Sequence, residues 1–175
     1  MTRMVLSLGS NLGDRIAHLQ SVVDGLGQAV QAVSPVYETD PWGGVVQEPF
    51  LNVVLVADDP DYDVQAWLRR AQEFERAAER VRAQRWGPRT LDVDLIAGFD
   101  EAGAVLVADD DLTLPHPRAH QRAFVLVPWL DVDPHAELTV DGRSRSVPDL
   151  LAELDPAERT GVRRFSRGLT TRTRR

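Results

Sequence analysis

Residues 85–96, RWGPRTLDVDLI, decide the fold of this chain. The stretch opens with two arginines around a Trp-Gly-Pro loop and runs into apolar residues interrupted by Asp92 and Asp94. Side chains alternate across a strand, so Leu91, Val93 and Leu95 point one way and the two aspartates the other. Aspartate is depleted in strands, and two in one short strand make a local conflict of the kind found at working sites. The apolar set predicts a strand over residues 91–96 whose other face carries both carboxylates.

That strand is the last of six elements. Residues 4–8 predict a short buried strand ended by Gly9, with Ser10 or Asn11 available as a helix N-cap. Ile16, Leu19, Val22, Val23, Leu26 and Val30 recur at helical spacing. Residues 33–37 predict a second strand, with Pro35 at an edge or strand start. Residues 38–49 hold Asp-Pro, Gly-Gly and Glu-Pro and predict a loop, followed by a third strand over 50–57. Val64, Trp67, Leu68, Ala71, Phe74 and Ala78 give a second helix. The order βαββαβ predicts an α+β, ferredoxin-like core: one antiparallel sheet, helices on one face, and the other face left for a ligand. Beyond Gly98 the pattern weakens to a small hairpin strand over 105–107, a short helix or apolar segment over 122–130, and a C-terminal helix over 147–154. Residues 1–160 are expected to form a single domain, and the Arg-rich residues 161–175 a disordered tail.

Composition narrows the chemistry. The 175 residues are 43% hydrophobic and 27% charged, with no run long enough to span a bilayer and no signal-peptide pattern at the start, so a cytoplasmic protein is expected. The absence of Cys excludes disulfides, thiolate metal sites and a Cys nucleophile. All 20 basic residues are Arg, which excludes a P-loop lysine and a Schiff base and leaves any phosphate to arginine. Six of those arginines fall in the last thirteen residues, leaving 14 arginines against 27 acids over residues 1–162. So acidic a body is a poor general nucleic-acid binder.

The two aspartates stand about 6 to 7 Å apart along their strand and repel unless a cation lies beside them. Hard oxygen ligands on a rigid strand suit Mg²⁺, which takes one or two protein carboxylates and fills its other positions with water and phosphate. The alternative is a solvated strand face with two surface aspartates. Arg80, Arg82, Arg85 and Arg89 precede the pair, and guanidinium forks suit phosphate oxygens, so a magnesium polyphosphate is the implied ligand. The alternative for the arginines is a helix face paired with Glu73, Glu75 and Glu79. Trp86 sits between them in a stiff loop, where an exposed indole would suit a lid stacking on a ring.

RWGPRTLDVDLI, together with LSLGSNLGDR, VYETDPWG, PFLNVV and LTLPHPRAHQRAFVLVPWLD, resembles the 6-hydroxymethyl-7,8-dihydropterin pyrophosphokinases of folate synthesis, in order from about residue 5 to residue 134. The resemblance implies transfer of the β,γ-pyrophosphoryl group of ATP to the pterin hydroxymethyl oxygen, giving AMP, with two Mg²⁺ ions bound by Asp92 and Asp94. It implies that Arg80 and Arg82 meet the ATP phosphates and support transfer, with Trp86 and Arg89 as lid residues. Gln72, Glu75, Leu95, Thr113, His116 and Arg122 are implied on the nucleotide side. Asn52 is implied to read the polar edge of the pterin, Phe50 and Phe124 to flank its ring, and Thr39 with the Trp42 backbone to complete the pocket. Apart from the resemblance, Phe50 and Phe124 are assigned to the core. GSNLGD lacks GxGxxG spacing and is a strand-to-helix turn near the pterin or in contact with it. The resemblance also favours a monomer.

The rival from another class is a ferredoxin-like module binding single-stranded RNA on its open sheet face. It would need exposed aromatics and a basic face, where this chain supplies Asp92 and Asp94.

Overall fold

The computed structural model describes residues 2–40, 46–79 and 90–171. Strand β1 (Thr2–Ser10) leads through a turn into helix α1 (Arg15–Leu26), a 3-10 turn at Gly27–Ala29, and two short strands, β2 (Val30–Val33) and β3 (Tyr37–Thr39). Strand β4 (Phe50–Asp59), helix α2 (Val64–Glu79) and strand β5 (Asp92–Asp100) complete the core. Then follow β6 (Gly103–Val105), β7 (Val107–Ala108), β8 (Thr113–Leu114), helix α3 (Ala123–Val132), the hairpin β9 (Glu137–Val140) and β10 (Arg143–Ser146), helices α4 (Val147–Ala152) and α5 (Pro156–Thr160), and β11 (Val162–Arg164). The main sheet runs β11-β3-β4-β1-β5-β6, with β2 also paired to β4 and every pairing antiparallel. This is the expected α+β, ferredoxin-like core.

Local chemistry sets the boundaries. The predicted second strand is two strands, because Pro35 has no N–H for the ladder. Ser34 fills the gap: its Oγ donates to the Pro35 carbonyl at 2.8 Å and accepts from the Val54 amide at 2.9 Å. The N-cap of α1 is Asp14, whose carboxylate accepts from Ala17 N at 3.1 Å, rather than Ser10 or Asn11. Ser10 belongs to β1, and Asn11 is buried with its amide donating to Gln47 Oε1 at 3.0 Å and to the Glu48 carbonyl at 3.3 Å.

Two apolar layers sandwich the sheet. Met4, Leu6, Leu8, Leu51, Val53, Leu55, Val93 and Leu95 face α1 and α2 and are all 5% exposed or less, as alternation predicts. Trp67 of α2 is buried with them, and its indole N–H donates to the Thr2 carbonyl at 3.0 Å. The other face is not wholly open. Val5, Val54, Val56, Ile96 and Ala97 are covered by Val125, Leu126 and Trp129 of α3 and by Val147 and Leu150 of α4, so helices lie on both faces. A bulge makes this possible: Val5 pairs with Ala97 but Leu6 pairs with Leu95, so Ile96 is the extra residue and joins Ala97 in the second core.

The tail expected to be disordered is ordered as far as the described residues reach. Residues 162–164 form β11 on β3, Phe165 N donates to the Val36 carbonyl at 2.9 Å, and Thr170 N donates to Gln20 Oε1 at 2.9 Å. Pairing with β3 and the ion pairs of Arg163 with Glu38 on that strand and Asp40 just after it stabilise a segment whose own composition favours disorder.

Candidate active site

Because α3 covers only part of the second face, the rest forms the floor of a cavity of about 860 Å³. Its floor is made by Ser7 and Gly9 of β1, Phe50 and Asn52 of β4, and Asp92 and Asp94 of β5. The register explains the grouping: Ser7 is opposite Asp94, and Gly9 lies between Asp92 on one side and Asn52 on the other. Thr39, Arg122 and Phe124 also line it, so seven of the residues singled out from sequence share one chamber.

At one end, the Thr39 hydroxyl donates to Asn52 Oδ1 at 2.7 Å. That bond orients the buried amide and leaves Nδ2 on the side of Gly9, where a Cβ on Gly9 would stand only 3.2 Å from it and 3.7 Å from Phe50 Cδ1. Glycine here keeps the floor flat beside a donor and an aromatic. Phe124 lines the same chamber, with the Arg122 guanidinium 5.5 Å from its ring centroid. Phe50 and Phe124 are half-buried and line the cavity; Phe124 also packs against the second core, so the core assignment from propensity holds in part for Phe124 and fails for Phe50.

At the other end, Arg122 Nη1 is 3.8 Å from Asp94 Oδ2. No group of three His, Cys, Asp or Glu that could hold a metal by itself occurs among the described residues. Two carboxylates on one strand face, open to a chamber large enough for a polyphosphate, therefore fit a hard cation that takes its remaining oxygens from substrate and water. His116 stands beside this pair. Its backbone N–H donates to the Ile96 carbonyl at 2.8 Å, and its Nδ1 accepts from Arg118 N at 3.1 Å, which leaves the proton of the neutral ring on Nε2. Burial pushes its pKa below the ordinary value, and Arg122 and Arg118 add to this against the opposing charge of Asp94.

Other expected residues lie elsewhere. Leu95 turns its side chain into the core beneath α1 and α2, since strand alternation sends it away from Asp94. Thr113 is exposed on β8, paired with Ala108, and Gln72 is exposed on α2. Glu75 reaches the edge of the carboxylate strand, where it accepts from Val93 N at 3.3 Å. Arg80, Arg82, Trp86, Arg89 and Trp42 lie outside the described residues.

The cavity also has a wall that local patterning did not mark. Asp155, Ala157, Glu158, Gly161 and Val162, from α5, its two caps and β11, line it. Arg163 on β11 meets Asp40 with two hydrogen bonds, Nη2 to Oδ1 at 2.9 Å and Nη1 to Oδ2 at 3.3 Å, and holds that carboxyl below its usual range. The concentration of six arginines after residue 162 was visible, but the acidic partners of Arg163, Glu38 on β3 and Asp40 just after it, are more than 120 residues away.

Residues 5–134 match the family model for 7,8-dihydro-6-hydroxymethylpterin-pyrophosphokinase, HPPK. The chain belongs to this family. A Mycobacterium leprae protein named 2-amino-4-hydroxy-6-hydroxymethyldihydropteridine pyrophosphokinase is 66% identical over 169 residues, 93% of this chain and 88% of its own length. A Mycobacterium tuberculosis protein of the same name is 64% identical over 170 residues, covering 94% and 90%. Among solved structures, the Plasmodium falciparum HPPK-DHPS wild type with pterin and p-hydroxybenzoate matches with a TM-score of 0.59 at 15% identity, over 87% of this chain and 43% of that one. The fold is therefore that of the HPPK portion, and the chain spans less than half the length of that structure. Membership of the HPPK family makes the chain an ATP-dependent diphosphotransferase acting on hydroxymethyldihydropterin in folate biosynthesis.

Proposed function

We propose that the chamber over β1, β4 and β5 is where this chain moves the β,γ-pyrophosphoryl group of ATP to the hydroxymethyl oxygen of the dihydropterin. The new bond joins that oxygen to the β phosphorus, the bond from the β phosphorus to the α-side bridging oxygen breaks, AMP leaves, and the hydroxyl proton is lost. The observation that carries this is the common face of Asp92, Asp94 and Asn52: the carboxylate pair and the Thr39–Asn52 amide stand either side of Gly9 in one cavity.

Asp92 and Asp94 would hold two Mg²⁺ ions, which would supply charge neutralisation for the phosphate oxygens when bound. Arg122, beside Asp94, and the neutral Nε2–H of His116 meet the same oxygens. Arg80 and Arg82 act on the phosphates, with Trp86 and Arg89 as lid residues, and Gln72 and Thr113 stand on the nucleotide side. Asn52 donates to and accepts from the polar edge of the pterin, with Phe50 and Phe124 against its ring and Thr39 and Trp42 completing that end. The same reading makes the protein a cytoplasmic monomer that binds no nucleic acid. In support, no helix among the described residues is long and apolar enough to cross a membrane, and α3 covers part of the sheet face that an RNA-binding module would use.

The test is AMP release from ATP and Mg²⁺, with and without 6-hydroxymethyl-7,8-dihydropterin. Pterin-dependent AMP from the wild type, falling by about a hundredfold or more in Asp92→Ala and in Asp94→Ala with unchanged melting temperature, is the expected result. Turnover near the wild-type rate in both variants would refute the metal assignment.

A further inference from the structure

The strap of α5 and β11 lies beyond the residues that match the family model, yet it lines the cavity and is paired to the strand that carries Thr39. Val162 is the register partner of Thr39, and Arg163 is the partner of Glu38. Arg163 reaches both acids that flank Thr39: Asp40 through two hydrogen bonds and Glu38 through Nη2 at 3.4 Å. Glu38 is also 3.8 Å from Nη1 of Arg15, whose guanidinium donates to the Pro49 carbonyl at 2.9 Å and lies 5.7 Å from the Phe165 ring centroid. Three segments far apart in sequence are thus tied together around one residue.

We propose that Arg163 is a positioning residue for the pterin end of the site, holding Thr39 where its hydroxyl orients Asn52. This rests on the reading that Asn52 contacts the pterin. A single exposed ion pair contributes little, but a bidentate guanidinium in a network of charges has the fixed geometry that positioning requires. The acids on either side of Thr39 give Arg163 leverage on the strand without contact with the ligand. Thr39 then sets which end of the Asn52 amide accepts and which donates, and reading a heterocycle edge depends on that assignment.

The experiment measures steady-state constants for pterin and for ATP, and melting temperature, in Arg163→Ala, Arg163→Lys, Thr39→Val, the Arg163→Ala/Thr39→Val double variant and Asn52→Ala. The expected result is a pterin KM raised about three- to tenfold in Arg163→Ala, with ATP KM and melting temperature unchanged. Arg163→Lys recovers part of the loss, and Arg163→Ala adds nothing in the Thr39→Val background. An unchanged pterin KM, an equal loss for both substrates accompanied by a fall in melting temperature, or full additivity with Thr39→Val would overturn the proposal. Asn52→Ala separates the two readings. If it leaves the pterin KM unchanged, the pterin assignment itself fails; if it raises that KM while Arg163→Ala does not, only the role of Arg163 fails.

Discussion

A methyl group on Gly9 is the sharpest probe of where the heterocycle lies. The Cβ of Gly9→Ala would stand 3.2 Å from Asn52 Nδ2, 3.7 Å from Phe50 Cδ1 and 4.0 Å from the Leu51 carbonyl. Only the first contact is short, so the amide must give by a few tenths of an ångström while its other end is held by Thr39 at 2.7 Å. Gly9 is a strand residue paired on both sides, so alanine meets no backbone penalty, and the reduced freedom of the unfolded chain offsets part of the crowding by about 0.4 to 1 kcal/mol. Stability therefore changes by about 1 kcal/mol or less. Function is more exposed, because the methyl rises from the floor between Asn52 and Asp92 and lifts any flat ligand seated there. A displacement on the order of 1 Å costs about a hundredfold in a transfer that depends on alignment. We expect kcat/KM for pterin to fall by about that factor in pterin-dependent AMP release, with the thermal melt nearly unmoved. A folded Gly9→Ala enzyme with wild-type kcat/KM would mean that the pterin does not lie over Gly9 and Asn52.

Glu75 tests whether the edge of β5 needs its cap. Glu75→Gln keeps an acceptor for Val93 N and should retain most turnover, whereas Glu75→Ala should lose about 1 to 3 kcal/mol of stability by urea unfolding and slow the reaction at the neighbouring aspartates; a raised ATP KM in Glu75→Gln would instead indicate a direct nucleotide contact. Tyr37 predicts an alkaline limit. Its phenol is pushed up to about 12 by burial and by the hydrogen bond it donates to Asp131, against about 10 when unfolded. A raised folded pKa means stability fully present below about pH 10 and lost as pH rises toward 12, in total about 2 to 3 kcal/mol. The chain has no Lys and no Cys, so urea unfolding from pH 9 to 11.5 should show the loss in the wild type and not in Tyr37→Phe. An equal loss in Tyr37→Phe would assign it to another group.

The legible parts of this molecule are those where one residue type conflicts with its local structure. Asp92 and Asp94 break a strand pattern, and alternation alone put them on one face opposite Leu91, Val93 and Leu95; the structure keeps that division, with Ser7 and Gly9 as their neighbours in register. Periodicity likewise located α1, α2 and the long strands, because each buries one regular face. Where burial follows from distant partners, short-range pattern was silent or misleading. The bulge at Ile96 puts consecutive residues on the α3 side, and nothing in the LIAG run distinguishes it from regular alternation. The hairpin β9–β10 did carry a signal, the Asp141-Gly142 pair, both at positive φ, as a two-residue turn requires. β11 carried none, since Val-Arg-Arg is a poor strand until Glu38 of β3 and Asp40 just after it stand beside it. Charge clustering there implied solvent when the opposite charges were merely out of sequence range. An arginine-rich end on an acidic body should therefore be matched against acidic strand edges before it is assigned to disorder.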